Sequence, residues 1–147
     1  MANSHQFDHE KLEVYHLELQ FIAWVTVLFA ELKEARPPRL AETLDQLDRA
    51  SISQVLNTAE GNGRRGSLQR AKFFDDARGS ATECAGCLDI LVAKGAVDTL
   101  RIEHGKTLLV RVVSILTKLI ERFGGLQTGG DSEGDSRTSR SRRTRTT

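Results

Sequence analysis

Apolar residues recur along the chain at the three- and four-residue spacings of buried helix faces, and no alternating stretch long enough for a useful strand competes with them. From about His9 to Ala35, Leu12, Tyr15, Leu19, Ile22 and Phe29 form one stripe. Leu17, Phe21, Trp24, Leu28 and Leu32 repeat the spacing on a neighbouring face. A helix apolar over so much of its circumference has more surface to bury than one bundle requires, which predicts a subunit contact through Phe21, Trp24 and Leu28. Pro37 and Pro38 end this helix, and Pro38 also suits the first turn of the next, where its missing N–H is not wanted.

The second helix runs to about Glu60 with Leu40, Leu44, Leu47, Ser51, Val55 and Thr58 or Ala59 inward, and Gly61, Asn62, Gly63 and Gly66 supply the turn after it. Ser67 is placed to cap a third helix whose seam is Phe74, Ala77, Ala81, Cys84, Leu88 and Leu91. Ala77, Gly79, Ser80, Ala81 and Gly86 let another backbone come close, and Lys94 with Gly95 marks the end. Asp98 caps a fourth helix carrying Leu109, Val112, Val113, Leu116, Ile120 and Phe123, closed by Gly124 and Gly125. Short connections make sequential helices antiparallel neighbours, so the expected fold is all-α, an up-down-up-down four-helix bundle over residues 7–124. Residues 1–6 read as a frayed start and 125–147 as a disordered Ser/Arg-rich tail, because nothing apolar there offsets the entropy of ordering.

Length and composition refine this picture. The 147 residues, 39% of them apolar, suit one core. The net charge of +1 divides unevenly: from Gly124 onward five arginines face three acids, leaving −1 for the folded part. A body this neutral is unlike that of a protein that grips duplex nucleic acid along its whole surface, so such contact must come from a local patch or from the tail. The Ser-Arg run from Ser136 to Arg145 permits transient RNA contact or simply aids solubility. Met1 to Glu10 shows no basic segment followed by an apolar one, which predicts a cytoplasmic protein with reduced cysteines. The most apolar run, Phe21 to Ala30, is about half the length that spans a bilayer, so no membrane association is expected.

Arg49-Ala50, Ser53, Asn57, Ala59-Glu60-Gly61, Gly63-Arg64, Phe73-Phe74, Ala77-Arg78-Gly79-Ser80 and Glu83 together resemble the pattern of the four helix bundle protein family. That family includes proteins encoded in intervening sequences of bacterial 23S ribosomal RNA genes, formerly called S23 ribosomal proteins. A related branch is the accessory variability determinant of diversity-generating retroelements, a partner of the reverse transcriptase. The resemblance covers roughly Phe7 to Phe123, and Gln54 and Thr58 depart from it where the family often has isoleucine. It implies a bundle that assembles as a ring, commonly a pentamer, with nucleic-acid association and no enzymatic activity. It also implies a structural role for Asn57, Glu60, Gly61, Arg78, Gly79, Ser80 and Glu83, with Glu60 pairing Arg78 or Arg49.

Candidate chemistry is sparse. Cys84-Ala85-Gly86-Cys87 is a C-x-x-C, but it lies mid-helix without a second pair, which favours packing over redox or zinc chemistry. Glu13-Val14-Tyr15-His16 is an E-x-x-H, yet a di-iron bundle needs two such motifs plus two more glutamates, and His104 has Arg101 three residues earlier. No metal, cofactor or catalytic residue is expected, and no nucleophile has a base at a definable position. What remains is Arg64, Arg65, Arg70 and Lys72 around the turn between the second and third helices. Repeated by symmetry they would form a basic collar for RNA or DNA; alone they are a solvated loop. The expected function is thus a non-enzymatic homo-oligomeric scaffold with weak nucleic-acid or ribonucleoprotein association. The alternative is a protein-interaction module, for instance an accessory to a reverse transcriptase.

Overall fold

The computed structural model describes residues 7–35 and 39–143, with side chains placed over 7–34 and 39–125. A single 3-10 turn, Asp8–Lys11, leads into four α-helices: α1 (Glu13–Ala35), α2 (Ala41–Gly63), α3 (Ser67–Ala93) and α4 (Thr99–Arg143). No strand occurs among the described residues. Pro37, Pro38 and the start at 1–6 lie outside the described residues. The α4 backbone continues past Gly124 and Gly125, where a stop was expected, to Arg143; side chains of the 125–147 tail lie outside the described set beyond Gly125. No described helix is long and apolar enough to cross a membrane.

Each helix packs on two others. α3 lies against α2 and α4, α1 bridges α4 and α2, and the diagonal pairs α1 with α3 and α2 with α4 bring no Cα atoms within 8 Å of each other among the described residues. The enclosed core takes Phe21, Val25, Leu28 and Leu32 from α1, Leu47 and Ala50 from α2, the whole expected seam of α3, and Ile102, Leu109, Val112 and Leu116 from α4. Phe21 and Leu28 are fully buried there, so their expected place at a subunit contact is corrected: this stripe serves the chain's own core. Trp24 lies half-buried against Gly105 of α4, where any Cβ would run into the indole, and Arg101 covers its ring at 5.4 Å.

Local signals set the helix ends. The Asp98 carboxylate accepts from the Arg101 N–H at 2.8 Å and caps α4 as expected. Gly95, with φ of 74°, takes the left-handed conformation that releases the chain from α3, and the Ala96 N–H returns to the Leu91 carbonyl at 3.0 Å. Gly66, not Ser67, occupies the N-cap of α3, and Ser67 is its first helical residue. Gly61 is needed for close approach, since a Cβ there would come within 3.0 Å of Phe73 Cβ and 3.1 Å of the Phe74 ring.

The core also holds polar groups. Glu18 of α1 and Gln54 and Thr58 of α2 are all fully buried, and the Thr58 hydroxyl donates to Glu18 Oε2 at 2.8 Å. Glu18 Oε1 and both polar atoms of Gln54 have no hydrogen-bond partner among the described residues. Burial pushes the Glu18 carboxyl up to about 8, with the Thr58 hydrogen bond only partly opposing the shift.

Candidate nucleic-acid interface

The link between α2 and α3 is three residues, Arg64, Arg65 and Gly66, with Arg64 and Gly66 both extended. So short a link keeps Arg64 and Arg65 at one end of the bundle, and the first turns of α3 add Arg70 and Lys72 there. The four expected cations therefore belong to the same end of the chain's α2–α3 pair, but Arg70 and Lys72 leave α3 on different sides and the four are not equals. Arg64 donates to Glu60 Oε1 at 3.1 Å and sits 4.9 Å over the Phe73 ring. Arg70 donates to Asn62 Oδ1 at 3.2 Å and stacks 4.4 Å over Phe123, which Arg122 approaches at 5.4 Å. Arg70 is thus built into the packing of α2, α3 and α4, with its Nε buried and unpartnered among the described residues. Arg65 and Lys72 are exposed and form no ion pair among the described residues. Those two, with the half-exposed Arg64, are the charges available to a ligand.

Glu60 reaches neither Arg78 nor Arg49, as had been expected of it. Its partner is Arg64 one turn on, in a pair that stays largely in water. Arg49 pairs with Asp45 at 2.8 Å. Arg78 instead donates to Asp75 at 2.7 Å and to the Thr117 hydroxyl at 3.2 Å, tying α3 to α4. The resemblance set Glu60 and Arg78 at adjoining helix ends, but Arg78 lies midway along α3, and each residue pairs instead with a neighbour three or four positions away.

The other motif residues gather at an open cleft of about 670 Å³ between α2 and α3, lined by Asn57, Arg78, Gly79, Ser80 and Glu83 with Asp75 and Asp76 beside them. Its floor is a polar chain: Asn57 Nδ2 donates to the Ser53 carbonyl and hydroxyl at 3.0 and 3.1 Å, and Ser80 donates to the Ser53 hydroxyl at 2.9 Å. Three carboxylates against one guanidinium make this cleft acidic, so it repels phosphate and is distinct in kind from the Arg65–Lys72 end.

Residues weighed for other chemistry are engaged elsewhere. Cys84 and Cys87 are buried free thiols, and burial pushes both up from their ordinary value, with Glu83 adding to the shift. Glu13 accepts from Arg111 at 3.0 Å, and His16 Nε2 meets the Glu10 carbonyl at 2.5 Å. No group of three metal-ligating side chains occurs among the described residues. Sequence reading missed Glu18 as a buried acid; the available signal was its place in the apolar window of α1 one residue from Leu17 and Leu19.

Comparison with curated proteins and with solved structures yields no match. Residues 10–118 match the family model for the 23S rRNA-intervening sequence protein. With well over half of the chain matched and four packed helices in place, the protein belongs to the 23S rRNA-intervening sequence protein family.

Proposed function

We propose that the protein is a non-enzymatic, self-associating helical scaffold that contacts nucleic acid through the α2–α3 end of its bundle. The observation that carries this reading is the pair of exposed cations Arg65 and Lys72 beside Arg64, set at one end of an otherwise nearly neutral body. The family's description, which names an intervening sequence of 23S rRNA, supports RNA as the first ligand to test. We read the bundle as antiparallel throughout. Supporting this are Lys94 with Arg39 across α3 and the start of α2, Lys106 with Asp89 and Arg78 with Thr117 across α3 and α4, and Glu13 with Arg111 and Glu31 with Arg101 across α1 and α4. Self-association would multiply a weak patch, and the ring that the family resemblance implies, five-fold as first expectation, is one such arrangement.

Fluorescence anisotropy with a labelled RNA at several salt concentrations tests the reading. The full chain and a version ending at Gly125 should bind alike, with affinity falling steeply as salt rises, while Arg65→Ala with Lys72→Ala loses binding. Absence of binding at low salt overturns the nucleic-acid role. A protein partner, such as the reverse transcriptase partnered in the related branch, is the second reading. It is favoured by the acidic cleft at Asp75, Asp76 and Glu83, which suits a basic segment of another protein.

A further inference from the structure

We infer that the nucleic acid met at the α2–α3 end is single-stranded and that the Phe7 ring is the platform on which one of its bases stacks, an inference that rests on the function proposed above. The 3-10 turn Asp8–Lys11 buries none of its residues, and Phe7 before it is 70% exposed, so the core does not account for the aromatic side chains there. They form a stack all the same. The Phe7 ring lies nearly parallel to the His9 imidazole, centroids 5.7 Å apart at 20°, and Tyr15 meets His9 edge-on at 4.8 Å. One side of Phe7 is thereby backed while most of its surface stays in water. The turn is also fastened in place. The Phe7 N–H donates to Glu10 Oε2 at 2.8 Å, the Glu10 N–H returns to the Phe7 carbonyl at 3.1 Å, and Asn62 Nδ2 of α2 donates to Asp8 Oδ2 at 2.8 Å. That last bond sets the stack beside the end of α2 that runs into Arg64 and Arg65, two and three residues beyond Asn62.

An exposed aromatic ring next to cations is the chemistry that holds a single strand. In a duplex both faces of a base are covered by its neighbours, so the ring could stack only by prising the helix apart, whereas a splayed base offers a free face. The neighbouring charges take the phosphates. Arg65 is exposed, and Lys11 of the turn keeps 65% of its side chain in water in a 4.0 Å pair with Asp8 that solvent screens. The acids close by are engaged: Asp8 accepts from Asn62, Glu10 from the Phe7 N–H and Glu60 from Arg64. A nearly neutral body with so few free cations gains little from the phosphates of a duplex, so the base contact decides which form is held.

Fluorescence anisotropy on the full chain tests it, with a short labelled single-stranded RNA of mixed sequence and with the same strand annealed to its complement, each at several salt concentrations. The single strand should bind about tenfold more tightly than the duplex, or better, as one base stack implies. Phe7→Ala should remove that preference and leave the salt slope as it is, because stacking releases no counterions, while Phe7→Trp should keep the preference. Phe7 is exposed, so helical content by circular dichroism should match the wild type in both variants. Equal affinity of the wild type for the two forms overturns the stacking platform and leaves the basic end standing. So does a preference that Phe7→Ala leaves intact, one that Phe7→Trp also abolishes, or a salt slope that Phe7→Ala lowers. A wild type that binds neither form at low salt overturns both.

Discussion

The hydroxyl of Thr58 donates to the buried carboxyl of Glu18 at 2.8 Å, the hydrogen bond that joins α1 to α2 inside an apolar core. Burial lifts this carboxyl from 4.5 to about 8, so at neutral pH it is a protonated acid rather than an ion. The hydrogen bond therefore ties α1 and α2 to a single buried proton.

Stability should fall with rising pH between about 4.5 and 8 because of this group. A carboxyl whose folded value is raised holds its full stabilising contribution below the unfolded value and loses it as pH passes the folded one. The loss amounts to about 5 kcal/mol when the shift is converted at 1.36 kcal/mol per unit. Urea unfolding at pH 5, 6.5 and 8 should show the decline in the wild type and a much flatter profile in Glu18→Gln. An identical slope in both proteins would mean that Glu18 is not the titrating group. Thr58→Val should cost about 1–3 kcal/mol at pH 5 by leaving Glu18 Oε2 without its donor.

Gly105 gives a second test, since its lack of a side chain admits the indole of Trp24 to the α4 backbone. Gly105→Ala would ordinarily stabilise a helix interior by about 1 kcal/mol. Here overpacking should dominate and destabilise by about 1–3 kcal/mol. A melting temperature that rises in Gly105→Ala would contradict this placement of Trp24.

Glu60→Ala should change folding stability by less than about 1 kcal/mol, because the pair with Arg64 is exposed and screened. The same change releases Arg64 beside Arg65 and Lys72. RNA affinity at low salt should therefore rise in Glu60→Ala, and a fall would count against the α2–α3 end as the contact.

Much of the fold was legible because period reports helices directly. The α3 seam from Phe74 to Leu91 and the Asp98 cap both stand where spacing and capping chemistry put them. Period alone does not give phase when a helix is apolar on several sides. On α1 the stripe through Phe21 and Leu28 could have faced inward or outward, and only packing against α2 and α4 decides that it faces inward. The outward surplus then falls to Leu19 and Val27. Glu18 was illegible for a related reason: an acid on a helix reads as solvated unless the burial of its neighbours is known. The basic end was legible as a cluster in sequence, whereas the commitment of Arg70 to Phe123 joins residues far apart in the chain and needed the packed helices to be seen.

Trp24 is the protein's single tryptophan, and it sits where α1 meets α4, bounded by Phe21, Arg101 and Gly105. The chain thus carries an intrinsic fluorophore at the seam that α1 must break to leave α4. Emission should shift to the red when that seam admits water, even while α2, α3 and α4 retain their ellipticity. An unlabelled sample can then distinguish detachment of α1 from collapse of the whole bundle.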